Sequence, residues 1–364
     1  VSLKILIAGG GTGGHLFPGV AMAETFVEDL AAQVLFVNAG GPMDRAVLEK
    51  AGFPLKSITA SGVKGMGLTK KLAALFKVFA GILAARRIIR DFGPDLVIGL
   101  GGYSAFPVVV CARLLRLKIL IQEQNILPGI TNRALFPLAD RICLAFSGTR
   151  GKFNPKKVRV TGNPVRQSLF SAFSAARSRK DPKRFTVVIV GGSQGARSIN
   201  RAMVSALGFL PEGPRYDFIH QTGKVDYPFV VQAYEKSGFS ACVQPFFDDM
   251  GKCYGAADLL ICRAGATTIA EVAALGVPAL FIPYPFAADN HQALNAAELR
   301  GAGACDLLLE EALSGEKLAE RIVFYAENPE RLGRMAANAQ KGGTLSAAQK
   351  ILTVVKALVE KPKR

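Results

Sequence analysis

Two stretches about half a chain apart follow one plan. The first reads Ile5-Leu-Ile-Ala-Gly-Gly-Gly-Thr-Gly-Gly-His15, the second Val187-Val-Ile-Val-Gly-Gly-Ser-Gln-Gly-Ala-Arg197. Each is a short apolar run with the length and composition of a buried strand, breaking into glycines and then entering a helical pattern. Such a turn brings backbone N–H groups close to an anion, and the helix behind it adds the positive end of its dipole. Two copies in 364 residues imply two α/β domains that share a polyanionic ligand.

The rest of the chain fits that plan. Strand signals fall near Leu3–Ala8, Gln33–Val37, Leu55–Thr59, Asp95–Gly99, Lys118–Ile121 and Arg141–Leu144, with helical patterns between them, among them Thr69–Arg90. The alternation restarts at Phe185–Val190 and continues through Tyr216–His220, Ala241–Gln244, Asp258–Cys262, Pro278–Ile282 and Ala304–Leu307. Alternation of this kind predicts doubly wound parallel sheets, two Rossmann-like domains facing a cleft. The expected division is 1–168, a Ser-, Ala- and Lys/Arg-rich linker over 169–184, a second domain over 185–344, and a last amphipathic helix over 345–364.

Charge narrows the ligand. There are 45 basic against 28 acidic residues, a formal +17, which favours a nucleic acid, an anionic lipid or a phosphate-bearing substrate. No RNP, zinc-finger or helix-turn-helix signature supports nucleic acid. No apolar run reaches a membrane span unbroken by Gly or Pro, and no export signal precedes the first strand, so a cytosolic protein is expected. Six scattered cysteines without a CxxC pair read as reduced core residues.

Gly9, Gly11 and Gly14 satisfy the dinucleotide fingerprint G-x-G-x-x-G, yet Asn38 stands where an NAD site wants an acidic residue for the ribose. Neither glycine turn ends in G-K-[ST], which disfavours a Walker-type NTPase. His15, just past the first turn, is either a base for a substrate hydroxyl or a residue closing the helix N-terminus. Gly99 to Pro107 forms a further phosphate-capable turn, and Gln122-Glu-Gln-Asn125 places polar side chains at another strand end. Thr268 and Glu271 have capping-box spacing; alternatively Glu271 accepts hydrogen bonds from a ribose. Asp248-Asp249 reads as a helix cap rather than a metal pair, there is no D-x-D, and three dispersed histidines make no zinc site.

The helix predicted over Thr69–Arg90 carries Leu72, Leu75, Phe76, Phe79, Ile82 and Leu83 beside Lys70, Lys71, Lys77, Arg86 and Arg87. Part of that apolar face packs on the sheet. The remainder, extended by Arg113-Leu-Leu-Arg-Leu-Lys118, suits an anionic bilayer surface.

These motifs, taken in order, resemble the MurG family of peripheral glycosyltransferases. Gly10-Gly-Thr-Gly-Gly-His15 with Phe17-Pro-Gly19, Gly101-Gly-Tyr103, Glu123-Gln-Asn125, Thr161 to Arg166, Gly191 to Gly195, Arg263 to Glu271, and Asp289-Asn-His-Gln292 with Asn295 carry the likeness along nearly the whole chain. The resemblance implies a GT-B fold and a last helix returning to the first domain. It implies inverting transfer of GlcNAc from UDP-GlcNAc to the C4 hydroxyl of lipid I, giving lipid II, at the cytoplasmic face of the membrane, with no catalytic metal or other cofactor. Carried over residue by residue, Thr12, Gly13, Gly14, Asn125, Arg166, Ser193, Gln292 and Ala266, Thr267, Thr268, Ile269, Ala270 and Glu271 contact donor or acceptor. Phe247 lies beside the uracil through its backbone, and His15 is the candidate base. With no tryptophan, a membrane patch here rests on Leu, Ile and Phe. The alternatives are a UDP-GlcNAc 2-epimerase of the same architecture and a non-catalytic nucleotide-sugar binding module.

Overall fold

The computed structural model describes residues 2–59, 68–181, 183–192, 195–211, 215–342 and 346–360, without the side chains of 68–77. The chain forms two compact units, Val1–Arg166 together with Leu345–Arg364, and Gln167–Thr344. In the first, the described strands are β1 (Lys4–Gly9), β2 (Gln33–Asn38), β3 (Leu55–Ser57), β4 (Leu96–Gly101), β5 (Lys118–Glu123), β6 (Arg141–Leu144) and β7 (Val158–Val160). They lie in the order β3-β2-β1-β4-β5-β6-β7, all parallel. In the second, β8 (Phe185–Val190), β9 (Tyr216–Gln221), β10 (Ser240–Gln244), β11 (Leu259–Cys262), β12 (Ala279–Phe281) and β13 (Asp306–Leu307) lie in the parallel order β10-β9-β8-β11-β12-β13.

The central strands are apolar on both faces because helices cover both faces, as parallel sheets require. Ile5 and Ile7 face one cluster with Phe26, Phe36, Ile351 and Val355; Leu6 and Ala8 face another with Ile89, Val108 and Leu135. The helix Ala347–Val359 thus belongs to the core of the first unit, with Ile351 and Val355 wholly buried and Gln349 Nε2 donating to Asp29 Oδ2 at 2.7 Å. Burial of each such side chain contributes about 1.5–3 kcal/mol.

In each sheet the strand order reverses once, between β1 and β4 and between β8 and β11. Those are the switch points where open α/β sheets collect ligands beyond the strands' carboxyl ends. The two glycine-rich turns follow β1 and β8, so chain topology alone delivers both to these points.

The strand β7 and the helix Gln167–Arg177 were not foreseen. The latter corrects the reading of 169–184 as linker, since residues through Arg177 are helical and pack on the helix Met250–Ala256. A Cβ on Gly251 would stand 2.7 Å from Ala172 Cβ, and one on Gly255 2.5 Å from the Phe173 carbonyl oxygen. The small residues that mimicked a linker are the ones that let two helix backbones approach.

Candidate active site

In the first unit the turn after β1 is built on Gly9, Gly10 and Gly11, with φ of 136°, 154° and 82°. A side chain on Gly9 would put its Cβ 2.7 Å from the Gly101 carbonyl oxygen, where the β1–β4 register shifts. The helix Gly13–Leu30 then begins with Thr12 as N-cap, so Gly13, Gly14 and His15 form its first turn. His15 Nδ1 lies 3.1 Å from Thr12 Oγ1. Its Nε2 lies 3.1 Å from where a Cβ on Gly101 would sit. Glycine in the second turn makes room for the imidazole, and two motifs nearly ninety residues apart become one wall of the site.

Asn125 is set by a neighbour in its own motif. Glu123 is buried, and its Oε1 accepts from Asn125 N at 2.9 Å and Asn125 Nδ2 at 3.3 Å. Its Oε2 accepts from Asn132 Nδ2 at 2.9 Å and Gly129 N at 3.3 Å. Burial raises the Glu123 pKa above the ordinary carboxylate value, and these donors pull it partly back. Arg166, the last residue of this stretch of the unit, lays its guanidinium 4.2 Å above the Phe17 ring, two residues past His15. Thr12, Gly13, Gly14, His15 and Arg166 are therefore grouped around one turn.

The first turn also holds a carboxylate that the sequence reading missed. Asp44, 1% exposed and in the first turn of the helix Pro42–Lys50, accepts from Gly11 N through Oδ1 at 3.0 Å and Oδ2 at 3.2 Å. Asn38 is no ribose anchor either, because its Oδ1 accepts from Gly40 N at 2.7 Å and turns the chain toward Pro42.

In the second unit the turn after β8 includes Gly192 and Gly195 at φ of 82° and 77°. Ser193, expected to contact donor or acceptor, lies outside the described residues. Gln221, at the end of β9, spans two expected contacts: its Nε2 donates to Gly192 O at 3.0 Å and its Oε1 accepts from Phe247 N at 2.9 Å. The Phe247 N–H is thus engaged within the protein.

The residues Ala266 to Glu271 are all helical. The helix Ala266–Leu275 has Gly265 as its N-cap, with no side-chain cap, so Thr268 is inside it and the capping-box reading is corrected. Glu271, 6% exposed, accepts instead from the Tyr254 hydroxyl at 3.0 Å. Burial, and next the Glu271 charge, raise the Tyr254 pKa well above the usual phenol value. Asp249 does cap the helix Met250–Ala256, accepting from Lys252 N at 3.3 Å. Gln292 accepts from Tyr284 N at 2.9 Å.

Arg263 ties these pieces together. Its Nη1 donates to the carbonyls of Ile282 and Pro283, each at 3.1 Å, and pairs with Glu310, while its Nη2 donates to Ser198 Oγ at 2.9 Å. Its guanidinium lies 5.4 Å from the Tyr284 ring. The other two histidines are used internally. His291 Nδ1 donates to Ala288 O at 2.7 Å, and His220 is wholly buried between Asn200 Oδ1, 3.0 Å from Nε2, and the Tyr234 hydroxyl, 3.3 Å from Nδ1.

Residues 5–144 match the profile of the glycosyltransferase family 28 N-terminal domain, and residues 186–351 that of its C-terminal domain. The UDP-N-acetylglucosamine–N-acetylmuramyl-(pentapeptide) pyrophosphoryl-undecaprenol N-acetylglucosamine transferase of Syntrophus aciditrophicus is 43% identical over 362 residues, 99% of each chain. The crystal structure of Acinetobacter baumannii MurG superposes with a TM-score of 0.78 at 31% identity, covering 98% of this chain and 99% of that one. The chain belongs to the MurG family.

The Neisseria meningitidis UDP-GlcNAc 2-epimerase bound to UDP-GlcNAc also superposes, with a TM-score of 0.71 over 98% of this chain and 99% of that one. At 14% identity that likeness is one of fold, shared beyond the MurG family. Within a MurG-family chain, Glu123, Gln221 and Tyr254 were legible only in part. Glu123 and Gln221 are polar residues ending apolar strands, a signal the sequence does carry. Tyr254 reaches Glu271 across the fold, and nothing local announces it.

Proposed function

We propose that this protein is an inverting glycosyltransferase that moves GlcNAc from UDP-GlcNAc to the C4 hydroxyl of lipid I, giving lipid II. What carries the reading is the 43% identity to a transferase of that name over 99% of both chains, an extent that includes every motif above. The second unit takes the donor. Glu271, held by Tyr254, accepts from the ribose hydroxyls. Phe247, whose N–H is engaged by Gln221, offers its carbonyl beside the uracil. Ala266 to Ala270 line the same helix start, and Gln292 faces the sugar. The glycine turn after β8 and the N-terminus of Arg197–Ala206 hold the diphosphate. Their main-chain donors and dipole stabilise the charge that grows as the glycosidic bond breaks, without a catalytic metal.

The first unit takes the acceptor, with Thr12, Gly13, Gly14, Asn125 and Arg166 around it. With Nδ1–H donating to Thr12 Oγ1, Nε2 of His15 is the basic nitrogen that removes the C4 hydroxyl proton as the oxygen attacks the anomeric carbon. The face opposite the departing UDP is attacked, which inverts the configuration.

The first unit also docks on the cytoplasmic face of the membrane as a peripheral protein. Among the described residues no helix is long and apolar enough to cross a membrane. On the helix Leu68–Phe92, Phe79 and Leu83 are 60% and 51% exposed next to exposed Arg86 and Arg87, and Leu114 beside Arg113 is 72% exposed. Of the patch expected from Leu72 to Arg87, the side chains of Leu72 through Lys77 lie outside the described residues. Apolar side chains rimmed by cations bind anionic interfaces.

Incubation with UDP-GlcNAc and a lipid I analogue tests the reading. UDP release that requires the acceptor, and survives chelation, is expected. UDP-ManNAc formed without acceptor would make the protein an epimerase, and binding without turnover a nucleotide-sugar module.

A further inference from the structure

Arg263 follows β11 at the switch point of the second sheet, and its side chain is only 14% exposed. Both ends of its guanidinium are used within the protein. On one side Nη2 donates to Ser198 Oγ at 2.9 Å, in the first turn of the helix Arg197–Ala206. On the other, Nη1 donates to the carbonyls of Ile282 and Pro283, at the root of the loop that follows β12, and pairs with Glu310. The guanidinium also lies 5.4 Å from the centre of the Tyr284 ring. Tyr284 in turn donates its N–H to Gln292 Oε1 at 2.9 Å, which closes the loop on the first turn of the helix His291–Gly301. Between those ends Asp289 and Asn290 hold left-handed backbone, with φ of 52° and 54°. Residues with side chains keep that conformation only where the surroundings fix it.

We infer that Arg263 is a positioning residue for selection of the donor sugar. It fixes Gln292 relative to the helix Arg197–Ala206, so that the protein tells UDP-GlcNAc from its C4 epimer UDP-GalNAc. The inference deepens the transferase reading and rests on its placement of Gln292 at the sugar and of that helix at the diphosphate. With Oε1 held by Tyr284, Gln292 offers Nε2 as a donor to a sugar hydroxyl. A donor set for one hydroxyl rejects a ring that carries it elsewhere, provided the donor cannot follow. Arg263 is what keeps it from following. One planar group holds the diphosphate helix through Ser198 and the loop root through two carbonyls, so the two contact points keep a fixed separation. Lysine would keep the charge beside Glu310, but an ammonium on a flexible stem does not span both sides.

The test uses the full chain and the variants R263K, Q292A and R263K/Q292A. Calorimetry reads Kd for UDP, UDP-GlcNAc and UDP-GalNAc, and turnover with a lipid I analogue reads kcat/KM for the two sugar donors. The expected result is a preference for UDP-GlcNAc about tenfold lower in R263K, with UDP affinity within about threefold of wild type. Because Arg263 acts through Gln292, R263K should change the preference little in the Q292A background, so the two losses do not add. Equal affinity of the wild-type chain for the two epimers overturns the inference, as does an unchanged preference in R263K. So do losses that add in the double variant, or a loss of UDP affinity as large as that of UDP-GlcNAc, which would mark a merely structural role. A wild-type preference in Q292A would take Gln292 from the sugar, and the inference falls with it. Should R263K fail to fold, S198A, which cuts only the bond to the diphosphate helix, decides by the same comparison. Affinity is read without turnover, so absence of acceptor-dependent UDP release would remove the transferase reading while the donor preference still decides this one.

Discussion

The Tyr254 hydroxyl donates to Glu271 Oε2 at 3.0 Å, with both side chains buried. This bond decides how the ribose role should be tested. Glu271→Ala leaves a buried phenol without its acceptor, at a cost of about 1–3 kcal/mol, so loss of function and loss of stability would be mixed. Glu271→Gln keeps an acceptor for Tyr254 and removes only the charge. It should raise the KM for UDP-GlcNAc about tenfold while Tm stays close to wild type. Tyr254→Phe should raise the same KM by a smaller factor. Unchanged donor kinetics in both would reduce Glu271 to a packing partner.

His15→Ala should lower kcat by about 100-fold at saturating substrates if the imidazole takes the acceptor proton. Steady-state kinetics with the lipid I analogue provide the check. A kcat close to wild type would return His15 to the lesser role of closing its helix.

Phe79→Asp with Leu83→Asp should weaken sedimentation with vesicles rich in anionic lipid, while turnover of a water-soluble acceptor analogue is kept. Both side chains are more than half exposed, so their replacement removes little from the core. Equal vesicle binding by the variant would place the membrane contact elsewhere.

His220 gives a pH signature. Burial lowers its pKa to about 3, against about 6.5 for an exposed imidazole. Between those values the unfolded chain binds a proton that the folded chain refuses, so stability falls as pH drops through the window. His220→Gln keeps a donor toward Asn200 and removes the titration. Its Tm should fall less than that of wild type between pH 6.5 and about 4. Parallel Tm curves would show that His220 is not the source of acid lability.

Sequence reading reached the fold because both of its signals are local: apolar runs of strand length and glycines where the chain leaves a strand. Most of the candidate residues were legible for the same reason, since they follow strand ends at the two switch points. Asp44, Tyr254 and the several donations of Arg263 were not. Each acts on a partner distant in sequence, and the order in which parallel strands line up is invisible to periodicity. The linker over 169–184 failed for another reason. Serine and alanine in a helix–helix contact have the same composition as serine and alanine in solvent, and only Gly251 and Gly255 on the opposing helix tell them apart.

The helix Ala347–Val359 makes the second unit an insertion within the first. During synthesis the N-terminal sheet stands without one of its covering helices until Val355 and Leu358 have emerged, after the whole of the inserted unit. The later-made body can thus mature on its own while the earlier one waits. Trimming the last turns should unravel the part of the protein made first, and leave the part made second standing.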